Sequence, residues 1–234
     1  MKIALLGYGR MGQVIERIAR ERGHQIVLKK SRNNSFEGLE NADVAIDFSI
    51  PEAAVGNISA CIEQGIPVIS GTTGWLEHYS SMTQLCEQKN GAFIYSSNFS
   101  LGVNIFFEIN AYLAKIMSQF TQYSITIEEI HHTQKLDAPS GTAITLADAI
   151  IHNSEYSSWA LDKTQALDEL IITAKRIPDV PGTHTVAYKS DIDTIEIKHE
   201  AHNREGFALG AVVAAEWIIG KKGIFSMKDV LNFK

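Results

Sequence analysis

The run Glu128-Glu129-Ile130-His131-His132-Thr133-Gln134-Lys135-Leu136-Asp137-Ala138-Pro139-Ser140-Gly141-Thr142-Ala143 concentrates acid–base chemistry in sixteen positions. Two adjacent histidines are followed, three residues after the second, by Lys135, and the run closes in a Pro-Ser-Gly-Thr turn. Histidine titrates near neutral pH, and lysine serves as a cationic clamp or a proton donor. Tyr123 to Ile127 alternate polar and β-branched residues, as a strand does, and Thr142 to Ile151 read as a helix. The histidines then sit at a strand end, and the turn opens a helix N-terminus, whose free N–H groups suit a carboxylate or phosphate. The chemistry expected is the binding of an anionic substrate that must receive a proton. Glu128 and Glu129 either orient a histidine ring or lie solvated.

A second chemical signature opens the chain. Lys2 to Leu6 form the short apolar run of a buried parallel strand. Gly7-Tyr8-Gly9-Arg10-Met11-Gly12 follows, and then an amphipathic helix from Gln13 to Arg22. This is the dinucleotide-binding pattern in its required strand–turn–helix context. Gly7 permits the tight turn, Gly9 lets a pyrophosphate approach the backbone, and Gly12 lets the helix pack closely. Strand two, Gln25 to Lys29, ends without the acidic residue that a free ribose 2′-hydroxyl would call for. Lys29, Lys30, Ser31 and Arg32 instead suit a 2′-phosphate, so NADPH is the preferred cofactor and NADH the alternative. The competing reading leaves these lysines solvated on a loop.

These residues need a frame, and β–α alternation supplies it. Strand three (Val44 to Ser49) leads into a helix beginning at Pro51 and running to about Gln64. Strand four (Pro67 to Ser70) ends in Gly71-Thr72-Thr73-Gly74-Trp75, a loop where such sheets bind ligands. A helix over roughly 78–90 and strand five (Ala92 to Tyr95) complete a Rossmann-like, doubly wound parallel sheet. The pattern then changes. Val103 to Met117 is an apolar helix, and 154–165 reads as polar and irregular. Strand-like runs at 170–174, 182–188 and 193–199 follow, the last two joined as a hairpin through Ser190-Asp191. This half is expected to be an α+β domain with an antiparallel or mixed sheet and helices on one face. A long helix from Gly206 to Ile219, stopped near Gly220 and Gly223, precedes a short one at 226–231.

Composition excludes several classes. A net charge of -6, 45% apolar residues and 21% charged residues describe a globular protein without the basic excess of nucleic-acid or membrane binding. Cys61 and Cys86 form neither a disulfide framework nor a metal spacing and read as buried apolar residues. A zinc site of His131, His132, His199 and His202 lacks coherent spacing, and no metal is expected. His184, His199 and His202 are assigned to the sheet surface or a subunit contact. Arg204 is read as a surface ion-pair partner or an active-site cation. Trp75, Trp159 and Trp217 are read as packing residues. No basic leader precedes the first strand and no apolar run reaches membrane-spanning length, so a cytoplasmic soluble protein is expected.

Taken together, these motifs resemble the bacterial dihydrodipicolinate (4-hydroxy-tetrahydrodipicolinate) reductases of the diaminopimelate route to lysine. The resemblance rests on the glycine turn, Asp47-Phe48-Ser49, Gly71-Thr72-Thr73-Gly74, Ser97 to Asn104, the His131-to-Ala143 run and the closing Phe225 to Leu231. It implies a reductase that moves a hydride from a nicotinamide cofactor onto a cyclic, unsaturated dicarboxylate. It further implies His131 as proton donor or acceptor, Lys135 as proton donor, and His132 with the Gly141 and Thr142 backbone as carboxylate ligands. Gly71 to Thr73 and Tyr95-Ser96-Ser97-Asn98 would join Gly7 to Gly12, Lys30 and Arg32 around the cofactor. Residues 1–102 and 207–234 would form the cofactor domain, and 103–206 a substrate-binding domain that builds a homotetramer. Ile50 stands where many relatives carry an arginine, which removes one 2′-phosphate contact. Two rivals are another two-domain dehydrogenase with a different catalytic pair and a dinucleotide sensor without turnover.

Overall fold

A computed structural model describes residues 1–31, 34–203 and 205–233. Arg32 and Arg204, named above, lie outside the described residues. The strands are β1 (Lys2–Leu6), β2 (Gln25–Lys30), β3 (Val44–Asp47), β4 (Val68–Ser70), β5 (Ala92–Tyr95), β6 (Ser124–His131), β7 (Ser158–Leu161), β8 (Glu169–Arg176), β9 (Gly182–Lys189), β10 (Thr194–Ala201) and β11 (Gly223–Phe225). The helices are α1 (Arg10–Glu21), α2 (Pro51–Glu63), α3 (Tyr79–Gln88), α4 (Leu101–Met117), α5 (Gly141–His152), α6 (Glu205–Ile218) and α7 (Met227–Val230). Two compact units result, one from Met1–Leu101 with Glu205–Lys234, the other from Gly102–Arg204.

The first unit is a six-stranded sheet in the order β11-β5-β4-β3-β1-β2, with every pair parallel. Its strands are apolar because helices cover both faces. α1 and α6 bury Ile15, Ala19, Ala208, Ala211 and Ala215 against one face, and α2 and α3 bury Ile58, Cys61 and Cys86 against the other. β1 is flanked by β2 and β3, so the strand order reverses at the carboxyl end of β1, where α/β sheets open a ligand crevice. The fold class expected for this part is the one found.

The second unit is a mixed sheet in the order β10-β9-β6-β8-β7. β6 lies antiparallel to β9 and parallel to β8. α5 packs Ala143, Leu146, Ala147 and Ile150 on one face with Ile127, Leu170, Ile172 and Val186. The opposite face carries Glu128, Thr185, Glu196 and Lys198, which line an open groove of about 420 Å³.

Two boundaries differ from the sequence reading. β6 is not among them: it ends at His131, where the sequence placed the strand end, and its second half pairs on both sides. Within the stretch read as irregular, β7 is an edge strand of four residues that, among the described residues, pairs with β8 alone. β11 occupies the place read as a helix stop. Gly223 is extended into pairing with Ala92, and Phe225 meets the Trp217 ring edge-on at 5.1 Å. Short strands carry too few residues for periodicity to mark them.

Candidate active site

In the first unit the glycine turn follows β1 at the reversal point. Gly7 donates its N–H to the Lys30 carbonyl at 3.0 Å and adopts φ +98°. A β-carbon at Gly7 would stand 2.1 Å from the Phe48 carbonyl oxygen, so this turn tolerates glycine alone. Gly12 is equally closed, 2.4 Å from the Gly7 oxygen, whereas a β-carbon on Gly9 meets nothing within 4 Å. Gly9 is also the N-cap of α1 and supplies no side chain to the first-turn N–H groups. A crevice of about 400 Å³ opens there, lined by Gly7, Tyr8, Gly9, Lys30, Ser31 and Phe48. Gly9 is thus free of any constraint imposed by the protein itself, while the donors beside it remain uncapped. That combination fits a bound pyrophosphate.

The two lysines that end β2 part company. Lys29 reaches Glu16 on α1 at 2.7 Å, and Tyr8 donates its hydroxyl to the same carboxylate. Burial would raise Glu16, but hydrogen bonds from Lys29, Tyr8 and Arg20 bring it down to about 2. Lys29 is therefore occupied. Lys30 instead lies over the Phe36 ring, 4.7 Å from its centroid, and borders the crevice with Ser31.

Beneath the crevice Asp47, fully buried, accepts four hydrogen bonds. Ser49 Oγ (2.7 Å) and Asn57 Nδ2 (2.8 Å) reach Oδ1, and Ser70 Oγ and Thr72 Oγ1 (both 2.8 Å) reach Oδ2. Burial pushes this carboxyl above its ordinary range while the four donors pull the other way. Thr72 is thus a structural tie, and its hydroxyl also accepts the Ser49 N–H at 2.8 Å. A β-carbon on Gly71 would enter the Phe48 ring at 2.3 Å, so that glycine serves packing. Thr73 and Ser97 are exposed, as is Arg10, while Met11 packs on the core. Tyr95 meets Trp75 and Tyr79 edge-on. Ser96 Oγ donates to the Asn98 carbonyl at 2.8 Å, which shapes the turn after β5.

In the second unit, strand register assembles a cluster that the sequence did not disclose. β6 places Glu129 opposite His184 of β9, and His131 opposite Arg176 of β8. Glu129 has no exposed surface. Its Oε1 accepts Arg176 Nη1 and Nη2 at 3.3 and 3.2 Å, and its Oε2 accepts the Ser140 N–H at 3.0 Å. Oε2 also faces His131 Nδ1 at 3.6 Å and His184 Nε2 at 3.7 Å. Burial alone would raise Glu129, yet donors from His184 and Ser140 and the attraction of His131 hold it at about 2. His131 moves the other way. Burial lowers it to about 4, against the pull of Glu129, so the imidazole is neutral at physiological pH.

Arg176 also ties down the loop that follows. Its Nε donates to the Lys135 carbonyl at 3.3 Å and its Nη2 to the Asp137 carbonyl at 2.6 Å. Lys135 Nζ reaches both Asp137 oxygens, at 2.8 and 2.7 Å. Ser140 caps α5 by accepting the Ala143 N–H at 3.2 Å, and its hydroxyl meets His184 Nε2 at 3.1 Å. The first intrahelical bond runs from Ile144 N to Ser140 O, which leaves the Gly141 and Thr142 N–H groups as first-turn donors. His132 lies outside this cluster and lines a groove with Thr133, Gln134, Pro178 and Asp179. His184 is buried and not at the surface as expected; alternation groups the residues of β9 by face but does not say which face α5 covers. Of the two glutamates, Glu129 faces the rings, and Glu128 pairs with Lys175 on the opposite face. Glu129, His131 and His184 present metal-ligand atoms within 4.8 Å of one another, but the Arg176 guanidinium already supplies the cation for that carboxylate.

The chain's first 99 residues match the family model for the dihydrodipicolinate reductase N-terminus, and residues 102–231 match that for its C-terminus. This chain belongs to the dihydrodipicolinate reductase family. A 4-hydroxy-tetrahydrodipicolinate reductase from Christiangramia forsetii is 58% identical over 99% of this chain and 98% of its own. One from Methanosarcina barkeri is 38% identical over 96% of this chain and 83% of its own. Among solved structures, a dipicolinate-bound dihydrodipicolinate reductase from Paenisporosarcina sp. TG-14 shares the fold, with a TM-score of 0.75 at 20% identity over 97% of both chains. No helix among the described residues of this reductase-family chain is long and apolar enough to cross a membrane.

Proposed function

We infer that this chain is the NAD(P)H-dependent 4-hydroxy-tetrahydrodipicolinate reductase of diaminopimelate and lysine biosynthesis, a cytoplasmic enzyme that converts the cyclic dicarboxylate to tetrahydrodipicolinate. The first unit is the cofactor domain and the second binds the dicarboxylate. When bound, the reduced nicotinamide supplies the hydride. The chain's residues then have to hold two carboxylates and deliver one proton to the ring.

What supports this division of labour is the network hung from Glu129 and Arg176, which ties His131, the Lys135 loop and the α5 N-terminus together. Lys135 is the proton donor, because the buried His131 lacks the acidic imidazolium proton near pH 7, its one remaining N–H faces Glu129, and it acts as an acceptor and orienting group. A substrate carboxylate would compete with Asp137 for the Lys135 ammonium and take the N–H groups of Gly141 and Thr142, with His132 alongside. In the first unit, among the described residues, Lys30 and Ser31 border the crevice and can receive a 2′-phosphate, which favours NADPH over NADH. The open, charged face of the mixed sheet is the surface through which copies would join in a homotetramer, checked by light scattering.

The test is cofactor oxidation dependent on the condensation product of aspartate semialdehyde and pyruvate. Both His131→Gln and Lys135→Ala should lower kcat by roughly 10²–10⁴ while leaving NADPH affinity unchanged. Equal turnover by Lys135→Ala and wild type would remove Lys135 from the donor role.

A further inference from the structure

We propose that Glu129 is the positioning residue of this site: its buried carboxylate fixes the tautomer and orientation of His131 and, through Arg176 and Ser140, the loop carrying Lys135 and the start of α5. The inference rests on the reductase reading for its catalytic meaning but not for its geometry.

Glu129 stands at the centre of four elements. From its own strand it faces His131 Nδ1, from β9 His184 Nε2, from β8 the Arg176 fork, and from the α5 terminus the Ser140 N–H. Lys135 and Asp137 complete the charged groups around it, both held through Arg176. Nδ1 of His131 is buried without a hydrogen-bond partner of ordinary length, and the Glu129 carboxylate is the acceptor it faces. An ionised carboxylate accepts only, so this contact favours the tautomer with the proton on Nδ1. Nε2 is then the unprotonated nitrogen, the one able to accept a hydrogen bond or a proton. That edge of the ring lies over Gly182, where a β-carbon would stand 3.2 Å from Nε2, so nothing larger than glycine fits without displacing the ring. The imidazole is thus bracketed by a carboxylate on one nitrogen and a bare backbone beside the other. Such an arrangement orients a ring without the carboxylate ever touching substrate.

The experiment reads the His131 ring directly. In wild type, ¹⁵N NMR of the imidazoles, with His131→Gln used to assign the signal, should show the Nδ1–H tautomer. Glu129→Gln keeps the volume and removes the charge. It should shift His131 toward the Nε2–H tautomer and lower kcat at least tenfold, with NADPH affinity within twofold of wild type. Glu87→Gln, at an exposed position of α3, should change neither reading. A wild-type Nε2–H tautomer, or a folded Glu129→Gln protein with unchanged tautomer and kcat, overturns the proposal. Should Glu129→Gln fail to fold, the wild-type tautomer still decides. An absence of turnover in wild type would sink the reductase reading alone, since the tautomer is read without substrate.

Discussion

Gly9→Ala separates the demands of the fold from those of the cofactor. A β-carbon at Gly9 has no protein atom within 4 Å, and its φ of −92° is ordinary for any residue. Folding stability should therefore change by no more than about 0.5 kcal/mol, the range of surface substitutions. Binding should suffer far more, because a methyl at the N-cap holds a pyrophosphate away from the uncapped N–H groups of α1. Losing even one hydrogen bond to a charged group costs about 1.5–3 kcal/mol, a weakening of roughly 10- to 150-fold. Gly7→Ala provides the contrast. At φ +98° and 2.1 Å from the Phe48 oxygen, the added carbon should cost at least about 2 kcal/mol of stability. The assay is calorimetric titration with NADPH and NADH beside thermal unfolding of both variants. Wild-type cofactor affinity in Gly9→Ala would refute the pyrophosphate assignment, and a large loss of Tm there would refute the claim that the position is sterically free.

Acidification should destabilise the second unit in two overlapping stages. His131, near 4 when folded against its usual 6.5, favours the neutral ring; that contribution is complete above pH 6.5 and is lost as pH falls toward 4, on the order of 3 kcal/mol. Glu129, near 2 against 4.5, loses its contribution below that, from pH 4.5 toward 2. Denaturant midpoints measured across this range should fall steadily, and His131→Gln should flatten the upper part. Asp47→Asn turns an acceptor ringed by four donors into a mixed group and should cost about 2–4 kcal/mol in urea unfolding. Arg176→Ala strands the Glu129 charge and should cost about 3 kcal/mol or more. Lys30→Ala should reduce NADPH affinity more than NADH affinity, measured by parallel titrations.

Much of this was legible in the sequence because it is local. The turn from Gly7 to Gly12 lies between a strand and a helix that are contiguous with it, so spacing alone predicted its context. The same holds for His131 at a strand end and Ser140 at a helix start. What escaped is carried by long-range register. Arg176 lies 47 positions from Glu129 and reaches it only because β8 pairs parallel to β6. The sheet surface or subunit contact expected for His184 does not hold, because α5 covers that side of β9 and buries it. Lys29 and Lys30 are indistinguishable as neighbours in sequence, and it is the position of Glu16 on α1 that takes one and leaves the other.

Under the proposed function, the chain reduces the cyclic dicarboxylate with a proton from Lys135. The most direct measurement follows the near-ultraviolet absorbance of the reduced cofactor as the aspartate semialdehyde–pyruvate condensation product is added, for wild type and Lys135→Ala. Wild type should oxidise NADPH only when substrate is present, and the variant should lose roughly 10²–10⁴ in rate with its cofactor binding intact. A folded wild-type protein that binds NADPH and NADH yet oxidises neither in the presence of that product would contradict the proposed function.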